Sequence, residues 1–238
     1  MAWHTDQFRR EMRLGLTGPA SSLAMLPTYL STDGVLPADT PVLVIDAGGS
    51  NLRLARVSFS AGGSEPKVEE LASGKMPGSE GKITRGEYMD RMVGFLRPYL
   101  HGDTLIAYCF SYEAAITPAH DGILTSFNKG VQVEDTDGMA VCAALEAALK
   151  DAGIPGSRQW VLLNDSTAAA CGALYKLRGG AGGTLGFILG TGTNTCYPEK
   201  TARIQRYPVA DDGGTMLINM ESGAYDKFPR GEADRLLD

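Results

Sequence analysis

With 238 residues, 43% of them hydrophobic, the chain is long enough to bury the core of one or two domains. A formal net charge of -6 and the lack of any Lys/Arg cluster argue against a nucleic-acid partner. No apolar run reaches membrane-spanning length, and Met1 to Leu16 mixes charged with apolar residues as secretory signals do not, so no membrane partner is expected either.

Cys109, Cys142, Cys171 and Cys196 are widely spaced in apolar surroundings, without a Cys-x-x-Cys pair. They read as buried, reduced thiols of a cytoplasmic protein and not as a zinc site. His4, His101 and His120 are equally isolated.

In chain order, Phe8, Met12 and Leu16 recur at helical spacing and predict a helix over about 5–16, stopped by Gly18-Pro19. Leu23 to Leu30 forms an apolar patch, and Pro37 to Pro41 a linker. The short β-branched run Val42 to Ile45 reads as a strand that turns at Gly48-Gly49 into a second strand, Leu54 to Phe59. Glycine permits the tight turn, and its missing Cβ lets backbone N–H groups approach an anion. Asp46 at the strand end suits a hydrated metal ion, and Ser50, Asn51 and Arg53 add donors, so the stretch reads as a phosphate-handling hairpin. The same residues also suit an ordinary hairpin turn with polar flanks.

Residues 61–66 read as a turn, Lys67 to Ala72 as a polar edge strand and 73–81 as a loop. Thr84 with Glu87 makes a capping box, and Tyr88, Met92, Leu96 and Tyr99 share a face, predicting a helix that ends near Pro98. Leu105 to Phe110 is a buried strand by composition, and Ser111 to Gly130 a long functional loop. Val141, Leu145 and Leu149 mark a second helix closed by Gly153 and Pro155. Trp160 to Leu163 reads as a strand ending in Asn164-Asp165, with an alanine-rich helix from Ser166 to Leu177. This order is that of a ribonuclease-H-like α/β unit.

The pattern then restarts: strand Thr184 to Leu189, turn Gly190-Thr191-Gly192-Thr193-Asn194, a strand from Thr195 to Pro198, and a third from Met216 to Met220. Two glycine turns, one near the start of each half, suggest two similar units facing a cleft and offering backbone donors to one polyphosphate. Asp165, at a helix N-terminus that favours its ionised form, could accept a proton from a hydroxyl attacking phosphorus, or could simply cap the helix. Asn164, Asn194 and Glu221, each read as ending a strand, suit the recognition of a polyol's hydroxyls, though each also suits a turn.

The chain resembles the eukaryotic-type hexokinases over nearly its whole length. The resemblance is carried by Ser22 to Leu30, Asp46 to Arg53, Cys109 to Tyr112, Gly122 to Gly130, Leu163 to Thr167, Ile188 to Tyr197 and Ile218 to Ala224. It implies an actin-like, two-domain sugar kinase that uses ATP and Mg2+ on a hexose, glucose foremost. It points to Asp165 as catalytic base and to Ser111, Asn128, Lys129, Asn164, Asn194 and Glu221 as sugar-side residues. Asp46, Gly48, Gly49, Ser50, Asn51 and Arg53, with Gly190, Thr191, Gly192 and Thr193, would hold the phosphates. The expected domains are 1–40 and 164–238 for the large one and 41–163 for the small one.

Three departures from the family pattern stand out: Asn128 for a usual Thr, Tyr112-Glu113 for the usual Phe-Pro, and Ser50 for Thr. The family's second sugar-binding Glu and its adenosine-binding segment are not found before Asp238. The large domain is therefore expected to be incomplete, with the 213–220 strand short of neighbours and an apolar face prone to aggregation. A hexose-binding sensor or inactive fragment is the alternative reading. A repressor-type glucokinase is set aside because its zinc-binding cysteine cluster is absent.

Overall fold

The computed structural model describes residues 2–32, 38–60, 65–101, 104–176, 183–190, 192–229 and 231–232. The elements run α1 (Ala2–Thr17), β1 (Leu26–Ser31), β2 (Val42–Ala47), β3 (Asn51–Ser58), β4 (Lys67–Lys75), α2 (Arg85–Leu96), β5 (Thr104–Phe110), β6 (Glu113–Ile116), β7 (Gly122–Ser126), α3 (Val141–Asp151), β8 (Arg158–Leu163), α4 (Asp165–Lys176), β9 (Gly186–Leu189), β10 (Thr193–Lys200) and β11 (Thr215–Asn219). They form two compact units, 34–168 and a discontinuous one of 1–33 with 169–238. The junctions expected from sequence, 40/41 and 163/164, fall a few residues from these.

In the 34–168 unit the sheet order is β4-β3-β2-β5-β8. β4, β3 and β2 form an antiparallel meander, and β5 and β8 extend it in parallel with β2. Alternation along β2 buries Leu43, Ile45 and Ala47 and puts Asp46 on the other face, opposite Arg53 of β3. The capping box at α2 forms as the sequence predicts: Glu87 N–H donates to Thr84 Oγ1, and Thr84 N–H to Glu87 Oε2. That start sets Tyr88, Met92 and Leu96 toward the core. Met92 and Leu96 are fully buried, each contributing ~2 kcal/mol relative to exposure. α3 adds Leu145 and Leu149 to the same core. Its N-terminus is held from a distance, as Asp121 accepts hydrogen bonds from Cys142 N–H at 2.7 Å and Ala143 N–H at 3.0 Å.

The loop expected over Ser111 to Gly130 is instead largely a hairpin, β6 with β7. Its strands are short, β6 carries two alanines, and Gly122 of β7 is tucked where a Cβ would lie 2.9 Å from Leu162. β4 also runs to Lys75, further than expected.

In the discontinuous unit the order is β1-β11-β10-β9, all antiparallel. β11 does not lack neighbours, contrary to expectation, because β1 from the N-terminal segment flanks it opposite β10. Thr28 Oγ1 donates to Leu217 O at 2.8 Å, and the hydroxyls of Thr32 and Thr215 meet at 2.6 Å. α1 packs Phe8, Met12 and Leu16 against Ile218 and Met220. β9 lies at the sheet's edge with Phe187 and Leu189 exposed, beside Leu185. The predicted helix end at Leu177 and most of the 61–66 turn lie outside the described residues.

Candidate functional site

The parallel register brings the carboxyl ends of β2, β5 and β8 to one edge of the sheet: Asp46 pairs with Cys109, and Cys109 with Leu163. Ligands of open α/β sheets bind beyond such strand ends. Asp46, Ser111, Asn164 and Asp165 all lie there.

Asn164, not Asp165, caps α4. Its Oδ1 accepts from Ser166 N–H at 3.0 Å and from Ser166 Oγ at 2.9 Å. With its oxygen so engaged, the Asn164 side chain turns its amide nitrogen the other way. Asp165 is the first helical residue; its Oδ1 accepts from Ser166 N–H at 2.8 Å, and Oδ2 takes no part in that bond. The half-buried carboxylate thus sits in the first turn of the helix, at its N-terminal end.

The turn after β2 is built from Gly48, Gly49 and Ser50, closed by Gly48 N–H donating to Asn51 O at 3.0 Å. The rest of the unit holds its carbonyls: Ser111 N–H donates to Ala47 O, Tyr112 Oη to Gly48 O, and Met76 N–H to Ser50 O. Arg53 Nη1 lies 3.2 Å from Asp46 Oδ2 in an exposed pair. Lys129, in the left-handed region at φ 54°, lays its stem against Gly49, where a Cβ would come within 3.2 Å of Lys129 Cβ. Asn128 and Lys129 are exposed, while Ser111 is buried.

The Cys109 thiol reports on this neighbourhood. Burial first, then the carboxylates of Asp46 and Asp165, push it up to about 12, while Lys129 pulls it back. The two carboxylates, the lysine and the thiol therefore share one electrostatic neighbourhood, and Cys109 stays a neutral thiol.

In the discontinuous unit, Asn194 is the second residue of β10, not the end of a strand as expected, and Glu221 lies two residues beyond β11 in a left-handed conformation. The two meet: Asn194 Nδ2 donates to Glu221 Oε1 at 3.1 Å. Asn219 Nδ2 donates to the same oxygen at 2.7 Å, and Asn194 Oδ1 accepts from Thr195 N–H. Both internal donors use Oε1, which leaves Oε2 to face other partners. The turn between β9 and β10 is closed by Gly190 N–H donating to Gly192 O; Thr191 lies outside the described residues. Thr193 O packs so near Gly223 that a Cβ there would stand 2.6 Å away.

Sequence reasoning overlooked Asn219 and Tyr112 as members of these clusters. Asn219 carried a usable signal, a polar residue within the otherwise apolar run 216–220. The role of Tyr112 depends on a turn 64 residues earlier and leaves no local signal.

The meander extended by two parallel strands defines the actin-like ATPase fold. A family model described as hexokinase matches residues 1–175, and a second one matches 184–238. Hexokinase-3 of Homo sapiens is 31% identical over 224 residues, covering 92% of this chain and 23% of its own length. Hexokinase-1 of Schizosaccharomyces pombe is 29% identical over 251 residues, covering 98% and 50%. Among solved structures, a hexokinase from Schistosoma mansoni complexed with glucose aligns with a TM-score of 0.75 at 22% identity, over 91% of this chain and 49% of that one. The chain belongs to the hexokinase family. It spans about a quarter to a half of the length of these curated relatives.

Proposed function

We propose that the protein is an ATP-dependent hexokinase that phosphorylates the 6-hydroxyl of glucose or a related hexose, with Asp165 as general base. The observation that carries this reading is the division of labour at the start of α4. Asn164 and Asp165 share the Ser166 N–H, Asp165 through Oδ1 alone, so its Oδ2 lies outside that bond, and its carboxylate acts on the Cys109 thiol together with that of Asp46.

In the reaction, Asp165 accepts the proton of the sugar hydroxyl as that oxygen attacks the γ-phosphorus. The new O–P bond forms, the bond to the departing ADP oxygen breaks, and the proton later passes to solvent. Asn164, Ser111, Asn128 and Lys129 recognise hydroxyls from the 34–168 unit. Asn194 and Glu221 do so from the other, and the two glycine turns offer donors to phosphate oxygens.

Mg2+ usually keeps several waters and takes one or two carboxylates plus substrate phosphates. Asp46, at the end of β2, fits that role and leaves Asp165 to act as the base; among the described residues no group of three or more His, Cys, Asp or Glu forms a protein cage. When bound with the nucleotide, the ion would neutralise charge on the phosphate oxygens.

The test is Asp165→Asn, assayed for hexose phosphorylation and, by calorimetry, for hexose binding. A loss of about 10²–10⁴-fold in turnover with binding kept is expected. Unchanged turnover refutes the assignment.

A further inference from the structure

The Gly48–Gly49 peptide is held from one side by an aromatic side chain that the phosphate turn itself does not contain. Tyr112 Oη donates to Gly48 O at 2.6 Å. One residue earlier, Ser111 N–H donates to Ala47 O at 3.2 Å, so the end of β5 grips two successive carbonyls of the turn. The Tyr112 ring is itself fixed: it is 3% exposed and packs against Phe110 and Phe127, with ring centroids 5.0 and 4.9 Å away. Burial raises its phenol well above the ordinary value, so the hydroxyl remains a donor throughout the neutral range.

A trans peptide is planar, with its C=O and N–H pointing in opposite directions. Fixing the Gly48 carbonyl toward Tyr112 therefore aims the Gly49 N–H away from it. No hydrogen bond to that N–H is present among the described residues. A peptide between two glycines is also the one most easily rotated, because neither residue has a Cβ to restrict φ and ψ.

We infer that Tyr112 is a positioning residue whose hydroxyl locks the Gly48–Gly49 peptide plane, keeping the Gly49 N–H presented as a donor to a nucleotide phosphate. This rests on the kinase reading above for the identity of the ligand, but not for the lock itself. Phenylalanine at this position would keep the ring contacts and lose the lock.

The experiment compares wild type with Tyr112→Phe in two ways. In the first, protein labelled with ¹³C and ¹⁵N reports the Gly48 carbonyl shift and the response of the Gly49 amide to magnesium ATP. The variant is expected to move the Gly48 carbonyl upfield and to weaken the Gly49 response. In the second, steady-state kinetics are expected to show a roughly three- to tenfold higher KM for ATP, the scale of one lost neutral hydrogen bond, with kcat and the KM for hexose near wild type. An unchanged carbonyl shift overturns the lock. A shifted carbonyl with an unchanged KM for ATP in an active enzyme overturns its role in binding. If wild type transfers no phosphoryl group, the kinase reading falls, and the carbonyl shift and Gly49 response still decide the lock. Should Tyr112→Phe not fold, 3-fluorotyrosine replaces it. Its more acidic hydroxyl must move the Gly48 carbonyl downfield, and no movement refutes the inference.

Discussion

Removing Glu146 should cost the 34–168 unit about 3–4 kcal/mol, because it strands a charge in the interior. The Arg158 side chain is 0% exposed, and its Nη1 lies 3.1 and 3.2 Å from the two Glu146 oxygens. Nη2 donates to Ile154 O and Pro155 O, and those two bonds survive in Glu146→Ala. Breaking a buried pair by removing one partner costs about 3–5 kcal/mol. The retained carbonyls favour the lower end of that range, and the indole N–H of Trp160, which donates to Glu146 Oε2 at 3.1 Å, adds about 1 kcal/mol when unpaired. Urea unfolding followed by Trp160 fluorescence in a Trp3→Phe background reads the change as a lower midpoint at constant slope. The double replacement Glu146→Leu with Arg158→Met should recover most of the loss, since it removes both charges together. A loss below about 1 kcal/mol in Glu146→Ala would refute the reasoning, as would a double variant no better than the single one.

Three further outcomes follow from particular contacts. Glu11 accepts hydrogen bonds from Ser22 N–H, Ser21 Oγ and Ser22 Oγ, and these, the backbone bond foremost, hold its carboxyl below its ordinary value of 4.5. Its folded value being depressed, its contribution is complete above pH 4.5 and is lost as pH falls through the folded value; thermal melts of Glu11→Gln should lack that acid-side decline. Asn219→Ala removes one of two donors fixing Glu221, so calorimetry should show hexose affinity about three- to tenfold weaker and nucleotide affinity unchanged. Gly223→Ala places a methyl group 2.6 Å from the Thr193 carbonyl and must displace the second glycine turn, costing about 1–3 kcal/mol in a melting experiment.

What the sequence disclosed, and what it hid, follows the range of each interaction. The β2–β3 hairpin and α2 were legible because their determinants are local: Gly48-Gly49 between β-branched runs, and Thr84 three residues before Glu87. β1 was not recognised as a strand because Tyr29, at φ 57°, bulges between Pro27 and Ser31 and breaks the alternation. The β6–β7 hairpin was missed because Ala114 and Ala115 carry little strand signal. The candidate site divides in the same way. Asp165 and the two turns announce themselves in short stretches. The capping role of Asn164, the Asn219–Glu221 bond and the Tyr112 contact depend on where the backbone places the side chains.

The pairing of β1 with β11 sets an order of assembly. Residues 26–31 leave the ribosome early, yet their sheet partner, Thr215–Asn219, is synthesised almost 190 residues later. Meanwhile the contiguous stretch 34–168 has every strand of its own sheet in hand and can fold as a unit. The discontinuous unit must wait, with the apolar stripe of Phe8, Met12 and Leu16 uncovered until β11 has been made. That interval is when the nascent chain has most need of a chaperone.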